Sequence, residues 1–342
     1  MEGNAANRPS PGDRPSVCGI LRPVIDRLAV LLVALAAMLW GTDTLFRSPL
    51  LQHLPGDPIR QATQIVTMEH IVLTIVCLPL LWLGWREIRS LTWPQWRAII
   101  LIGVGASALA TILFTISFSY FHFIETLLLQ KTQPLIAILL AHFWLGERIS
   151  RRAWVWVPVA IIGAYCIVIP NPLDPRAAWE DFHVSAGLFA IAAAALWGAA
   201  TVFGRYALAR VRFTTLTALR FTTALPALLL LMLVIGGPQA FGSYRLGDVP
   251  LYLGIALIPG LFPMLLYYRG LASTPASLAT LAELAFPITG ILVNLFVVSP
   301  AQTITGWQVV GIVVLTGSLI ALDYTNAKRP ARLARGAEVA LA

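Results

Sequence analysis

Apolar residues run along this chain in blocks of about twenty, separated by short polar gaps. A helix rises about 1.5 Å per residue and a bilayer's hydrocarbon is about 30 Å thick, so each block is long enough to cross it. The pattern predicts ten spans over residues 28–45, 66–84, 97–117, 126–144, 153–170, 185–204, 214–235, 249–267, 277–298 and 305–323. Gly and Pro inside the blocks do not break them, because neighbouring helices re-satisfy the freed backbone groups. The gaps carry turn signals: Leu54-Pro55-Gly56-Asp57-Pro58, Pro170-Asn171-Pro172 and Gly236-Gly237-Pro238. Residues 118–125 remain apolar, so the boundary between the third and fourth spans is the least sharply marked. Residues 1–27, rich in Pro, Gly and Asn, form a tail expected to be disordered, and residues 324–342 form a second tail.

Composition turns this pattern into a class. Of 342 residues, 58% are hydrophobic and 12% charged. That is half the usual charged fraction of about 25%, and too few charges to cover a soluble domain. A soluble enzyme, a disordered chain and a disulfide scaffold are all excluded. The fold class is an all-α polytopic membrane protein with ten transmembrane helices. Cys77 and Cys166 fall inside apolar blocks and read as small hydrophobes, while Cys18 lies in the tail. Further spans follow the first block, which is read as a retained helix.

The net charge of +8 does not indicate nucleic acid, because Arg and Lys sit in the gaps rather than on a stripe. With the N-terminus on the cytoplasmic side, eighteen of the 24 Lys and Arg fall inside. Four (Arg47, Arg60, Arg176, Arg245) fall outside, and Lys131 and Arg220 lie within spans. This positive-inside bias predicts a multi-pass protein of the inner (plasma) membrane with both termini cytoplasmic.

The chain also repeats itself. Trp40-Gly41-Thr42-Asp43-Thr44-Leu45-Phe46 matches Trp197-Gly198-Ala199-Ala200-Thr201-Val202-Phe203 as W-G-x-x-T-x-F, 157 residues apart. Pro134 pairs with Pro287 and Trp154 with Trp307, each 153 residues apart. The halves are thus 28–170 and 185–323, with five spans each. Five is odd, so the second half enters the membrane from the opposite side. The charges agree: Leu145-Gly146-Glu147-Arg148-Ile149-Ser150-Arg151-Arg152 is highly charged, and its counterpart Ser299-Pro300-Ala301-Gln302-Thr303-Ile304 carries no charge. Inverted repeats are the architectural basis of alternating access, in which two similar halves rock about a site at their interface.

These residues resemble the EamA-type ten-helix members of the drug/metabolite transporter superfamily over 28–323. The resemblance rests on Trp40-Gly41 and Trp197-Gly198, and on Leu145-Gly146-Glu147-Arg148 followed by Gly163. It rests also on Leu219-Arg220-Phe221 and on Leu266-Tyr267-Tyr268-Arg269-Gly270-Leu271, Pro275-Ala276-Ser277, Glu283 and Pro287. Two departures stand out: Ser299-Pro300 replaces a second Gly-Glu turn, and Glu69-His70 stands where the second span is expected to carry an Arg. The resemblance implies export, or sometimes uptake, of a small metabolite (an amino acid, a drug-like or a related compound), driven by an ion gradient or by exchange.

A charge near the bilayer centre costs roughly 2.5–3.5 kcal/mol on insertion scales, so it persists where a partner or a wet cavity meets it. Asp43, Glu69, Glu125, Lys131, Arg220 and Glu283 are the charged candidates, with Gln130, Gln133 and Asn294 as uncharged companions. Asp43 and Glu69 lie near outer ends, where water is close. Arg220 is about one and a half turns into its span and reads as snorkelling to the headgroups. Glu125 begins the fourth span, where a carboxylate suits the helix dipole. His122 lies three residues before it, but no third ligand for a metal is near in sequence. Glu283 and Gln130 occupy equivalent repeat positions, beside prolines that each free a mid-helix carbonyl. The candidate site for substrate or coupling therefore comprises Glu283, Lys131, Gln130, Gln133, Tyr267, Asn294 and Glu125. Either these groups line a pocket in which Glu283 binds substrate or carries a proton, or they join helix to helix as a static Glu283–Lys131 pair. Trp82, Trp85, Trp93, Trp96, Trp154 and Trp156 read as an interfacial belt in contact with lipid.

An intramembrane enzyme acting on lipid or peptide is the competing class. It needs a nucleophile with its base, a metal cluster or paired acids. The five His are scattered, and neither G-x-S-x-G nor G-x-x-x-x-G-K is present, so no catalytic group, nucleotide or other cofactor is expected. A channel also fits a repeat. The reading that follows is a secondary active transporter with a small-molecule substrate, coupled to protons or to exchange.

Overall fold

In the computed structural model, residues 17–120, 122–145, 150–169, 171, 174, 176, 183–208, 211–271, 282–283, 285–299 and 303–326 are described. All regular structure among them is helical. In chain order the apolar helices are α1 (Leu28–His53), α2 (Pro58–Leu83), α3 (Trp93–Ser119), α4 (Phe123–Leu140) and α5 (Trp156–Val168). They continue with α6 (Val184–Leu208), α7 (Phe213–Gly236), α8 (Leu246–Gly270), α9 (Ala285–Val298) and α10 (Gly306–Leu322). Seven are long and apolar enough to cross a membrane, and α5, α9 and α10 are shorter. The Gly-Glu turn after α4, the Pro275-Ala276-Ser277 segment and the first part of the ninth span lie outside the described residues, as do 1–16 and 327–342.

Local chemistry sets the ends. Asp57 caps α2, accepting from the backbone N–H groups of Ile59 (2.9 Å) and Arg60 (3.0 Å), with Pro58 in the first turn. Gly56, at φ 114°, makes the left-handed turn that leads into this cap. Thr92 and Gln95 form a capping box at the start of α3. Three boundaries differ from expectation. Helical structure leading into α1 begins at Val17, so residues 17–27 are helical. After a turn at Gly41 and Thr42, α1 continues to His53 and carries Arg47 within it instead of leaving it in an outside gap. The second span starts at Pro58 rather than at 66.

Three helices carry a π-helical stretch: Ile102–Leu109 in α3, Ala256–Leu261 in α8 and Asn294–Val298 at the end of α9. The offset of 153 that relates Pro134 to Pro287 carries residues 102–109 onto 255–262. In α4, a 3-10 turn at Gln130–Thr132 interrupts the helix just before Pro134.

The packing has the symmetry that the repeat predicts. Helix α1 packs on α8 and α9, and α6 packs on α3 and α4; α2 meets α7, α4 meets α9 and α5 meets α10. Exchanging the first five helices for the last five leaves this set of contacts unchanged. Small residues allow the closest approaches. A Cβ on Gly41 would lie 2.8 Å from the Phe286 carbonyl oxygen, and one on Gly198 would lie 3.1 Å from that of Gln133. The two contacts are counterparts, because 133 and 286 are again 153 apart. Leu31, Ile75, Leu188, Leu230 and Phe296 point outward, as lipid-facing positions do. Together these features make the chain a multi-pass membrane protein. Gly41→Val forces α1 away from α9 and should lower stability by about 1–3 kcal/mol. Gly105→Ala, which meets nothing within 4 Å, should not. Thermal melting of both variants in detergent checks the contrast.

Candidate functional site

A cavity lies between the two halves, lined from α1, α2, α3 and α4 on one side and from α6, α7 and α8 with Glu283 and Phe286 on the other. Its volume is about 170 Å³. A single water needs about 10–15 Å³ on that measure, so the space suits an organic molecule rather than one bare ion. Aromatic rings form much of the wall. Trp40 lies 5.1 Å from Tyr267, and Phe114 lies 5.1 Å from Trp197, centroid to centroid. The Trp197 indole N–H donates to the Ala106 carbonyl at 2.8 Å, inside the π-helical stretch of α3.

Three charged groups face the cavity. In the first, Arg47 is 3% exposed, and its guanidinium donates to Asp43 twice (2.7 and 2.9 Å), to Glu69 (3.1 Å) and to Thr115 Oγ1 (2.8 Å). Two carboxylates thus share one cation. In the second, Lys131 Nζ stands 3.8 Å from Glu283 Oε2 and 4.6 Å over the Phe286 ring, and the Tyr267 hydroxyl donates to Glu283 Oε1 at 2.9 Å. Gln130 and Gln133 extend this group: Gln130 Nε2 donates to Gln133 Oε1 (2.9 Å), and Gln133 Nε2 to Thr201 Oγ1 (3.4 Å). In the third, Arg220 Nε donates to Ser107 Oγ (2.8 Å), and its Nη1 donates to the Tyr268 hydroxyl (3.3 Å) and approaches Met264 Sδ (3.7 Å). Three acids and three bases balance to a formal charge of zero. The acidic excess lies beside Arg47 and the basic excess at Arg220.

Glu283, Lys131, Gln130, Gln133 and Tyr267 therefore line one cavity. Asn294 and Glu125 do not. Asn294 is fully buried between α9 and α1, donating to Thr44 Oγ1 (3.1 Å) and to the Gly290 carbonyl (2.7 Å). Glu125 faces α10, where Gln308 Nε2 donates to it at 2.6 Å. Both bond helix to helix, because their helix faces point at neighbours rather than at the cavity. Three other expectations are corrected. Arg220 turns inward to Ser107 and Tyr268 instead of reaching the headgroups. Asp43 and Glu69, each 6% exposed, are buried on Arg47 instead of facing water. Arg47 and His70 also line the cavity, and neither was a candidate. The signal for Arg47 was present in the chain: Asp43 precedes it by four residues, the spacing that brings acid and base together on a helix.

Comparisons with known proteins converge. The model of the EamA-like transporter family matches residues 27–169 and again 184–322. The riboflavin transporter ImpX of Fusobacterium nucleatum subsp. nucleatum (strain ATCC 23726 / VPI 4351) is 31% identical over 289 residues, spanning 80% of this chain and 91% of that protein. A crystal structure of a protein with 19% identity has a TM-score of 0.56, covering 89% of this chain and 100% of its own, and shares the fold.

Removing one partner of a buried ion pair costs about 3–5 kcal/mol, because the remaining charge is left uncompensated. Arg47→Gln should destabilise the protein by that amount, and adding Asp43→Asn should recover part of it. Melting temperatures of the single and double variants check this.

Proposed function

The chain belongs to the EamA-like transporter family, and from that premise we propose that it is a secondary active transporter carrying a small metabolite through this cavity by alternating access. The observation that carries the proposal is the cavity itself, shared between two halves whose contacts interchange. The contacts between the halves include a polar tie at each of two opposite ends. His53 Nε2 meets Asp248 Oδ1 at 3.1 Å where α1 ends and α8 begins. Arg212 bonds Glu87 and the Leu83 carbonyl, where α2 ends and α7 begins. Opening one tie while the other holds would expose the cavity to one side at a time.

The proposed topology has ten crossing helices in two inverted five-helix repeats, 28–170 and 185–323, with both termini cytoplasmic. The paired family matches at 27–169 and 184–322 support the division. The short helices fit it. Residues 153–155 form a 3-10 turn that extends α5 toward the membrane surface, and the helix of α10 runs on to Asn326. Aromatic walls and a formal charge of zero suit a neutral, planar, heteroaromatic solute. The relative's substrate, riboflavin, is of that kind, and a flavin-class compound is the substrate proposed here.

Glu283 is the proposed coupling group. Its ion pair with Lys131 joins the segment entering α9 to α4, so protonating the carboxylate removes an attraction between the halves. A proton gradient or exchange of solutes can then drive the cycle. Direction follows the gradients imposed, so the assay is run both ways.

Two outcomes are expected. In a background with the three native Cys replaced by Ala, Arg151→Cys should react with an impermeant thiol reagent only from the cytoplasmic side, and Leu246→Cys only from outside. The reverse labelling would sink the topology. In liposomes, Glu283→Gln should fold and bind solute but lose pH-driven movement at least tenfold. Unchanged pH dependence would remove Glu283 as the coupling group. A variant that folds only when Lys131 is also neutralised would make the pair structural.

A further inference from the structure

Two groups in the cavity wall are left incomplete by the protein. The first is His70, 1% exposed. Its Nδ1 lies 2.9 Å from the Val66 carbonyl oxygen. A carbonyl only accepts, so Nδ1 carries the hydrogen, and in the neutral ring Nε2 is left as a lone-pair acceptor. That Nε2 is buried and has no partner among the described residues. An orphaned buried acceptor is costly, and a donor arriving with a ligand would recover that cost. The second is Arg220. Its Nε and Nη1 are engaged by Ser107, Tyr268 and Met264, while its Nη2 takes no protein partner and no carboxylate pairs with it among the described residues. Both line one cavity, from α2 and α7, two helices that pack together, and the Phe221 ring of α7 stands edge-on to the His70 ring at 5.8 Å.

The wall thus offers a hydrogen-bond acceptor on α2 and a donor on the adjoining α7, with aromatic faces around them. A carboxylate or phosphate would satisfy Arg220 but would set its lone pairs against His70 Nε2. An amine would satisfy His70 but would repel Arg220. A ring N–H adjacent to a carbonyl satisfies both. We propose that His70 and Arg220 read the lactam or imide edge of a planar heteroaromatic solute, the ring N–H donating to His70 Nε2 and the neighbouring carbonyl oxygen accepting from Arg220. This rests on the cavity being the solute site of the proposed transporter and names the chemistry that it selects. The isoalloxazine ring of a flavin carries such an imide, as do lumichrome and uracil-type rings.

The test changes one atom of the ligand. The full chain in detergent is titrated calorimetrically with riboflavin and with 3-methylriboflavin, whose imide N–H is replaced by N–CH₃, and then with lumichrome and its 3-methyl derivative. A site built to pair with an N–H rejects an analogue lacking it. The expected result is at least tenfold weaker binding of each methylated partner. His70→Leu should bring each ratio to within threefold, and His70→Gln, which keeps an acceptor, should restore much of it. Equal affinities in the wild type would overturn the proposal, as would binding of neither member of both pairs or an unchanged ratio in folded His70→Leu. The wild-type comparison decides the matter whether or not a variant folds. Liposome flux with the same compounds separates this inference from the transport reading. Movement of both members at equal rates would sink imide readout and leave transport, whereas selective binding without movement would do the opposite.

Discussion

An ionised side chain within hydrocarbon must be met by an opposite charge or a full set of hydrogen bonds, and the interior of this bundle is arranged by that requirement. The Arg47 guanidinium draws α1, α2 and α3 together through Asp43, Glu69 and Thr115. Lys131 and Glu283 join α4 to the segment entering α9. Arg220 is held from α3 and α8. Each polar cluster fixes an interface that apolar packing alone would leave free to slide, since one lipid-like surface meets another without directional preference. The cavity is the space these clusters surround, and its neutrality as a whole is what permits so many charges at one depth.

Small residues solve the complementary problem of letting backbones approach. Gly41 and Gly198 occupy matching places in the two halves, and each lies against the carbonyl that precedes a proline, Phe286 before Pro287 and Gln133 before Pro134. Trp40 and Trp197, just before them, turn their rings into the cavity wall. One short motif thus does two jobs in each half: its glycine brings the helix in, and its indole covers the gap that remains.

Much of the fold is legible in the chain because block length and charge asymmetry are strong signals in a membrane protein. The repeat is legible because Trp and Pro are rare enough to align. The site is legible where charges fall inside the blocks, as Glu283 and Lys131 do. It is hidden where hydropathy ends a block too early: Arg47 stands beyond the apolar part of α1, yet the helix continues because Asp43, one turn back, neutralises it. Depth alone placed Arg220 near the headgroups, since Ser107 and Tyr268 are 113 and 48 residues away and become neighbours only in the fold. Asn294 and Glu125 show the converse limit. Polarity within a span reveals a need for a partner, and only the fold tells whether that partner is a solute or the next helix.

The π-helical stretches carry a consequence about ancestry. A π turn is a helix with one residue too many, accommodated by widening instead of by shifting everything beyond it. Such a widened turn appears in α3 and again in α8, at places that the 153-residue offset superimposes, whereas the one that ends α9 has no counterpart in the α-helical residues 141–145. One family model matches residues 27–169 and again 184–322, so the two stretches are copies of one unit. Two independent insertions at one equivalent site are a poor account of the coincidence. A widened turn carried at the equivalent place by both matched stretches belongs to the unit that was doubled, so in α3 and α8 it is older than the doubling itself.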